Sequence, residues 1–189
     1  SGPSPTAPIL VVSNDPGFPR ATVILPPCGP GEEFFRTVDG RGFDAAITGG
    51  IRGPKFHAGI DGSCKLGGQA KWIAYPVADA IVIRYKFLEG NNSEAVELWS
   101  SGWTAVLAFT FEGVEYEAIY GHLEFPNRSE NWPKVGDRVG PSSPLGRIGS
   151  TGASSGLHLH FGLRRKGSDG LWYFVNPEDH GILGIRVKK

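Results

Sequence analysis

The chain contains no methionine and only two cysteines, Cys28 and Cys64. Lacking methionine, it reads as a processed product rather than a primary translation product. Neither cysteine belongs to a Cys-x-x-Cys pair, which argues against a thiolate metal site. Two reduced thiols and one disulfide both remain open, because bridging depends on a Cα separation and on an oxidising compartment. Net charge is missing too: 19 basic residues balance 19 acidic ones. That balance lacks the electrostatic footprint of a nucleic-acid or anionic-membrane binder. No apolar run is long enough to span a bilayer, and no signal-peptide pattern opens the chain. Few stretches carry an apolar period near 3.6, and there is no heptad or internal repeat.

Turn chemistry, by contrast, is abundant. The chain has 28 glycines and 15 prolines among β-branched and aromatic runs, a pattern that predicts short strands joined by tight turns. With 189 residues it can bury a sizeable core in a single domain. Residues 1–8 read as a linker or tag remnant, and 9–189 as one domain. Strands are expected at 9–12 and 21–25, and as a pair within 71–87 broken near Pro76. Segments 103–111 and 114–120 read as a hairpin around Glu112-Gly113. Small β units follow at 135–140 and 144–149, then a strand at 171–175 and a single helical turn from Asn176-Pro177. The fold class is mainly β, a compact antiparallel domain.

Histidine is scarce, yet four of the five sit in short glycine-flanked motifs. Residues 154–163, Ser-Ser-Gly-Leu-His-Leu-His-Phe-Gly-Leu, read as one strand. Side chains two apart on a strand share a face, so His158 and His160 point one way. Leu157, Leu159 and Phe161 are then expected to point the other way, into a core. Two imidazoles on one face are well placed to hold a metal or to sit beside one. His57-Ala-Gly-Ile-Asp61 adds an imidazole and a carboxylate, both good zinc ligands, and catalytic zinc commonly takes three protein ligands and one open position. Tyr120-Gly-His122-Leu brings a further histidine at a strand end. Each motif alone is as readily a surface ion pair or a hydrogen-bonded histidine. The glycine-rich run 146–156 is not a phosphate loop, since it lacks the Lys-Ser/Thr ending and no helix follows. Trp99, Trp103, Trp132 and Trp172 read as packing or rim residues, and His180 as ordinary surface.

Taken in order, these motifs resemble the lysostaphin/LytM-type zinc endopeptidases that cut peptidoglycan peptides. The family pattern runs His-x-x-x-Asp, then Gly-His-Leu, then His-x-His. Here these are His57 to Asp61, Gly121-His122-Leu123 and His158-Leu-His160. Val135-Gly-Asp-Arg-Val and Gly149-Ser-Thr-Gly-Ala-Ser-Ser-Gly-Leu-His-Leu-His-Phe161 resemble the family's connecting text, and Asn176-Pro177 its downstream Asn-Pro. The resemblance covers roughly 53–177. It implies one zinc ion held by His57, Asp61 and His160, with His122 and His158 as the catalytic pair. It also implies a barrel-sandwich-like fold with a groove over the sheet, peptidoglycan stem peptides or cross-bridges as substrate, and an extracytoplasmic location (periplasm, cell envelope or secreted). A monomer is favoured. Tyr120 is a candidate substrate-side hydroxyl. Gly162 departs from the family pattern, which usually has an acidic residue there. Two rival readings are a catalytically silent cell-wall-binding or regulatory module of the same fold, and a two-His-one-carboxylate iron oxygenase.

Overall fold

A computed structural model describes residues 17–36, 57–89 and 100–178. The segments expected at 1–8 and 9–12, with Trp99 and His180, lie outside the described residues. Among those described there is no α-helix, only a short 3-10 turn at Arg128–Glu130. The strands are β1 (Arg20–Ala21), β2 (Glu33–Arg36), β3 (Ile60–Leu66), β4 (Gln69–Lys71), β5 (Ile73–Ala74) and β6 (Ala80–Leu88). After them come β7 (Gly102–Phe111), β8 (Val114–Leu123), β9 (Arg138–Val139), β10 (Gly146–Arg147), β11 (Leu159–Lys166) and β12 (Trp172–Val175). One curled sheet runs in the order β2-β3-β11-β8-β7-β6-β9, and β5 pairs with β10 separately. The pairings are antiparallel except that of β1 with β7.

The β7–β8 hairpin forms where expected. Glu112 (φ 51°) and Gly113 (φ 78°) both take the left-handed conformation, as a two-residue turn matching the strand twist demands. Three expectations need correction. Segment 21–25 is not a full strand: only Arg20–Ala21 pair, and Pro26 and Pro27 just beyond have no N–H to offer a ladder. Asn176-Pro177 leads into a turn rather than a helical turn. Leu157 is not a core residue; it is 52% exposed, because β11 starts only at Leu159 and strand alternation does not reach back to it.

Alternation on the long strands splits the sheet into two faces. Ala105, Leu107 and Phe109 of β7, Tyr116, Ala118 and Tyr120 of β8, and Leu159, Phe161 and Leu163 of β11 enter the main core with Phe34 and Ile60. Val106, Ala108 and Ile119 join Ile83, Leu88 and Phe18 on the opposite face. At about 25 cal/mol per Å² of apolar area buried, the large side chains of the first face dominate the stabilisation. The second face also carries Glu117, buried and gripped by Arg164 Nη2 at 3.0 and 3.1 Å. Arg164 in turn stacks over Trp172. A disulfide closes Cys28 to Cys64, their Cα atoms 5.6 Å apart.

Candidate metal centre and active site

The site occupies one end of that second face. Asp61 of β3 lies directly opposite His160 of β11, and His160 opposite Gly121 of β8. Three neighbouring strands thus bring same-face positions to one spot by register alone. A residue at 121 larger than glycine would crowd it: a Cβ there would stand 3.3 Å from that of His160.

His122 reaches the site by a different device. Regular alternation from Tyr120, which faces the core, would send His122 into the core as well. Instead the β7–β8 register slips between Trp103/Leu123 and Ala105/Tyr120, so β8 carries one extra residue. His122 is that turning point, in the left-handed conformation with φ 61°. The bulge returns Leu123 to the core and swings the imidazole to the site face. Left-handed backbone at a non-glycine residue costs of order 1 kcal/mol or more. Hydrogen bonds on both sides hold it there: His122 N–H donates to Ser101 O (2.7 Å) and His122 O accepts from Gly149 N–H (3.0 Å).

The geometry at the centre is tight. His160 Nδ1 lies 3.1 Å from His57 Nε2 and 3.2 Å from Asp61 Oδ1. His57 Nε2 is 3.2 Å from the same Oδ1. His158 Nε2 approaches that oxygen to 3.5 Å. The His122 and His158 rings face each other with centroids 4.7 Å apart. Three lone-pair-bearing atoms converging in this way repel unless a proton or a cation sits among them. A tetrahedral zinc shell with bonds near 2.0–2.2 Å puts neighbouring donors roughly 3.3–3.5 Å apart. The three observed separations lie about 0.1–0.2 Å below that range, which a small outward shift of the donors reaches, and the donor set is two imidazoles and one carboxylate, so these residues fit a divalent metal.

Electrostatics follow from the same contacts. Burial alone would raise the Asp61 carboxyl, but hydrogen bonds to His158, His160 and His57 outweigh it and hold the group far below the usual carboxylate range. Burial pushes His122 down to about 4, against the opposing pull of the Thr151 carbonyl. Burial likewise lowers His160. His158 shifts upward because it hydrogen-bonds the Asp61 carboxylate. Nδ1 of His122 donates to Thr151 O at 2.7 Å, and Nδ1 of His158 donates to Gly156 O at 2.9 Å. Both rings therefore hold a proton at Nδ1 and turn Nε2 toward the centre.

More than half of the chain, residues 55–170, matches the family model described as Peptidase family M23. The chain belongs to peptidase family M23. This M23 chain is similar to the solved catalytic domain of the antimicrobial peptidase lysostaphin from Staphylococcus simulans, at 23% identity and a TM-score of 0.48, covering 74% of this chain and 86% of that one. It is similar to a mutant catalytic domain of the prophage-encoded M23 protein EnpA from Enterococcus faecalis, at 25% identity and a TM-score of 0.46, covering 84% of this chain and 98% of that one. Whole lysostaphin is matched at 21% identity and a TM-score of 0.49, over 76% of this chain and 48% of that one. No curated protein matches the M23 chain.

Within the M23 chain the structure brings together all five residues singled out by their motifs: His57, Asp61, His122, His158 and His160. Tyr120 stands apart. It is fully buried, its hydroxyl accepting from Val77 N–H and donating to Tyr75 O, each at 3.0 Å. A hydroxyl so engaged inside the core has no face for substrate. Gly162 has a local cause: a Cβ there would meet Ala58 O at 2.7 Å, so the acidic side chain common at this place in the family does not fit this backbone. Two of the described tryptophans are engaged in packing: Trp103 lies between Phe87 and Phe125, and Trp132 lies under Arg147. Cys28, Glu32 and Cys64 also cluster, but their sulfurs are bonded to each other and are not thiolate ligands. Sequence reasoning missed Thr151 and Gly156, whose carbonyls orient the His122 and His158 rings. Both sit in the Thr-Gly-Ala-Ser-Ser-Gly text, and both act through backbone, which residue type does not reveal.

Proposed function

We propose that this M23 peptidase is a zinc-dependent endopeptidase cutting peptide bonds in peptidoglycan stem peptides or cross-bridges. The convergence of His57 Nε2, Asp61 Oδ1 and His160 Nδ1 within 3.2 Å of one another carries the reading. These three hold one zinc ion. When bound, the ion supplies Lewis acidity and lowers the pKa of a coordinated water. His122, neutral with its proton on Nδ1, offers Nε2 as a proton acceptor. His158, whose affinity for a second proton is raised, donates from Nε2 toward the developing oxyanion or the leaving amine. The sheet face around β8 and β11 forms the floor on which the substrate lies. Residues 9–189 act as one domain, as a monomer, outside the cytoplasm where peptidoglycan is found. Among the described residues no helix is long and apolar enough to cross a membrane.

The test is digestion of purified peptidoglycan from several wall types, with and without a chelator, followed by mass spectrometry of released peptides. Chelator-sensitive products are expected, and their masses identify the bond. Intact walls with metal bound would sink the proposal and favour a binding module of the same fold.

A further inference from the structure

Thr151 sits where the two halves of the His122 bulge meet the loop that precedes β11. Its carbonyl takes the Nδ1 proton of His122. Its hydroxyl accepts from Trp103 N–H at 3.0 Å and donates to Leu123 O at 2.5 Å. Those two groups belong to the two residues paired across β7 and β8 beside the bulge. One side chain thus closes the ladder that the extra residue opened, and the same residue's backbone reaches the His122 ring.

The surroundings of this corner are tightly packed. Gly102 (φ 66°) and Gly152 (φ 74°) both need left-handed backbone. A Cβ on Gly102 would collide with Thr151 Oγ1, and one on Gly152 would collide with Ser100 O. Ala153 N–H donates to Ser100 O at 2.8 Å, tying the loop back to the start of β7. A carbonyl can only accept, so its contact with Nδ1 selects the tautomer with Nδ1 protonated and Nε2 free.

We propose that Thr151 is a positioning residue for His122: its hydroxyl fixes the loop to β7 and β8 so that its carbonyl sets the tautomer and orientation of the ring. This rests on His122 acting in the reaction, but the tautomer can be read without turnover. The experiment is side-chain 15N NMR of the histidines, alongside kinetics and metal analysis, for the unaltered protein, Thr151→Ser and Thr151→Val. The unaltered chain and Thr151→Ser should show His122 protonated at Nδ1. Thr151→Val, similar in shape but without the hydroxyl, should show mixed tautomers. It should lose about 10- to 100-fold in kcat with little change in KM, and it should keep full metal content.

A His122 protonated at Nε2 in the unaltered protein overturns the proposal whether or not any variant folds. So does a Thr151→Val protein with unchanged tautomer and kcat, or a Thr151→Ser protein that fails as badly as Thr151→Val. If the chain cuts no wall peptide while His122 keeps the Nδ1 proton and Thr151→Val disturbs it, the positioning role stands and the endopeptidase reading falls.

Discussion

Reducing the Cys28–Cys64 disulfide should destabilise the protein by an amount the chain itself sets. The bridge spans a sequence separation of 36. Loop-closure entropy for a ring of that length gives about 3.8 kcal/mol at 25 °C. For a chain of 189 residues this corresponds to a fall in Tm of roughly 8–15 °C. Two of the three proposed metal ligands, His57 and Asp61, lie inside the closed loop, yet Asp61 is placed opposite His160 by the pairing of β3 with β11, and His57 lies just ahead of that strand. Native-state metal affinity should therefore change little. The assay is thermal unfolding of the Cys28→Ser/Cys64→Ser double variant and the parent, each metal-free and metal-loaded. Metal should raise Tm in both by a similar increment, because a ligand that binds only the folded state adds RT ln(1 + [L]/Kd) regardless of the bridge. A Tm difference under about 2 °C would show that the bridge constrains little in the unfolded chain and refute the entropic reasoning. Loss of metal binding in the variant would show that the bridge, not the strand register, places the ligands.

His160→Ala should abolish both metal binding and activity, whereas His158→Ala should keep most of the metal and lose turnover; metal analysis beside kinetics decides, and an empty site in His158→Ala would break the ligand assignment. Tyr120→Phe leaves Tyr75 O and Val77 N–H without their partner, so unfolding in urea should show a loss of about 1–3 kcal/mol with KM unchanged; a raised KM at unchanged stability would restore a substrate role. For His122 the folded pKa of about 4 lies below the unfolded value near 6.5, so the unfolded chain binds more protons across that window. Stability of the metal-free protein should fall as pH drops from about 6.5 to about 4, and His122→Gln should flatten that slope; an unchanged slope would contradict the burial of the ring.

The five candidate site residues are legible in sequence as short motifs, while their division into metal ligands and a catalytic pair is what the family resemblance implies. Strand period puts His160 on the face opposite Leu159 and Phe161, and the short His57-to-Asp61 spacing keeps His57 just ahead of the strand that carries Asp61. The β7–β8 hairpin was equally plain, since Glu112-Gly113 marks its own turn. The bulge at His122 was not legible: it is defined by a slip against β7, and nothing within Tyr120 to Leu123 announces a missing partner. The place of Tyr120 is hidden for the same reason, its hydroxyl being satisfied by the backbone of residues 75 and 77, more than forty positions away. Leu157 lies outside the core because the pairing of β11 begins only at Leu159. The disulfide stayed open until the distance between two segments was known.

The two kinds of site residue differ in how far they could travel. A ligand pair built on facing rungs, such as Asp61 and His160, can be grafted onto almost any antiparallel sheet with the same spacing. His122 cannot be moved as a side chain, because its place is written in backbone. Were the chain to run from Tyr120 to Leu123 in regular alternation, without the slip, the imidazole would turn into the apolar interior and the leucine would come out on the site face. Transplanting or redesigning this chemistry therefore means copying a length of chain with its miscount intact, together with the threonine that closes it.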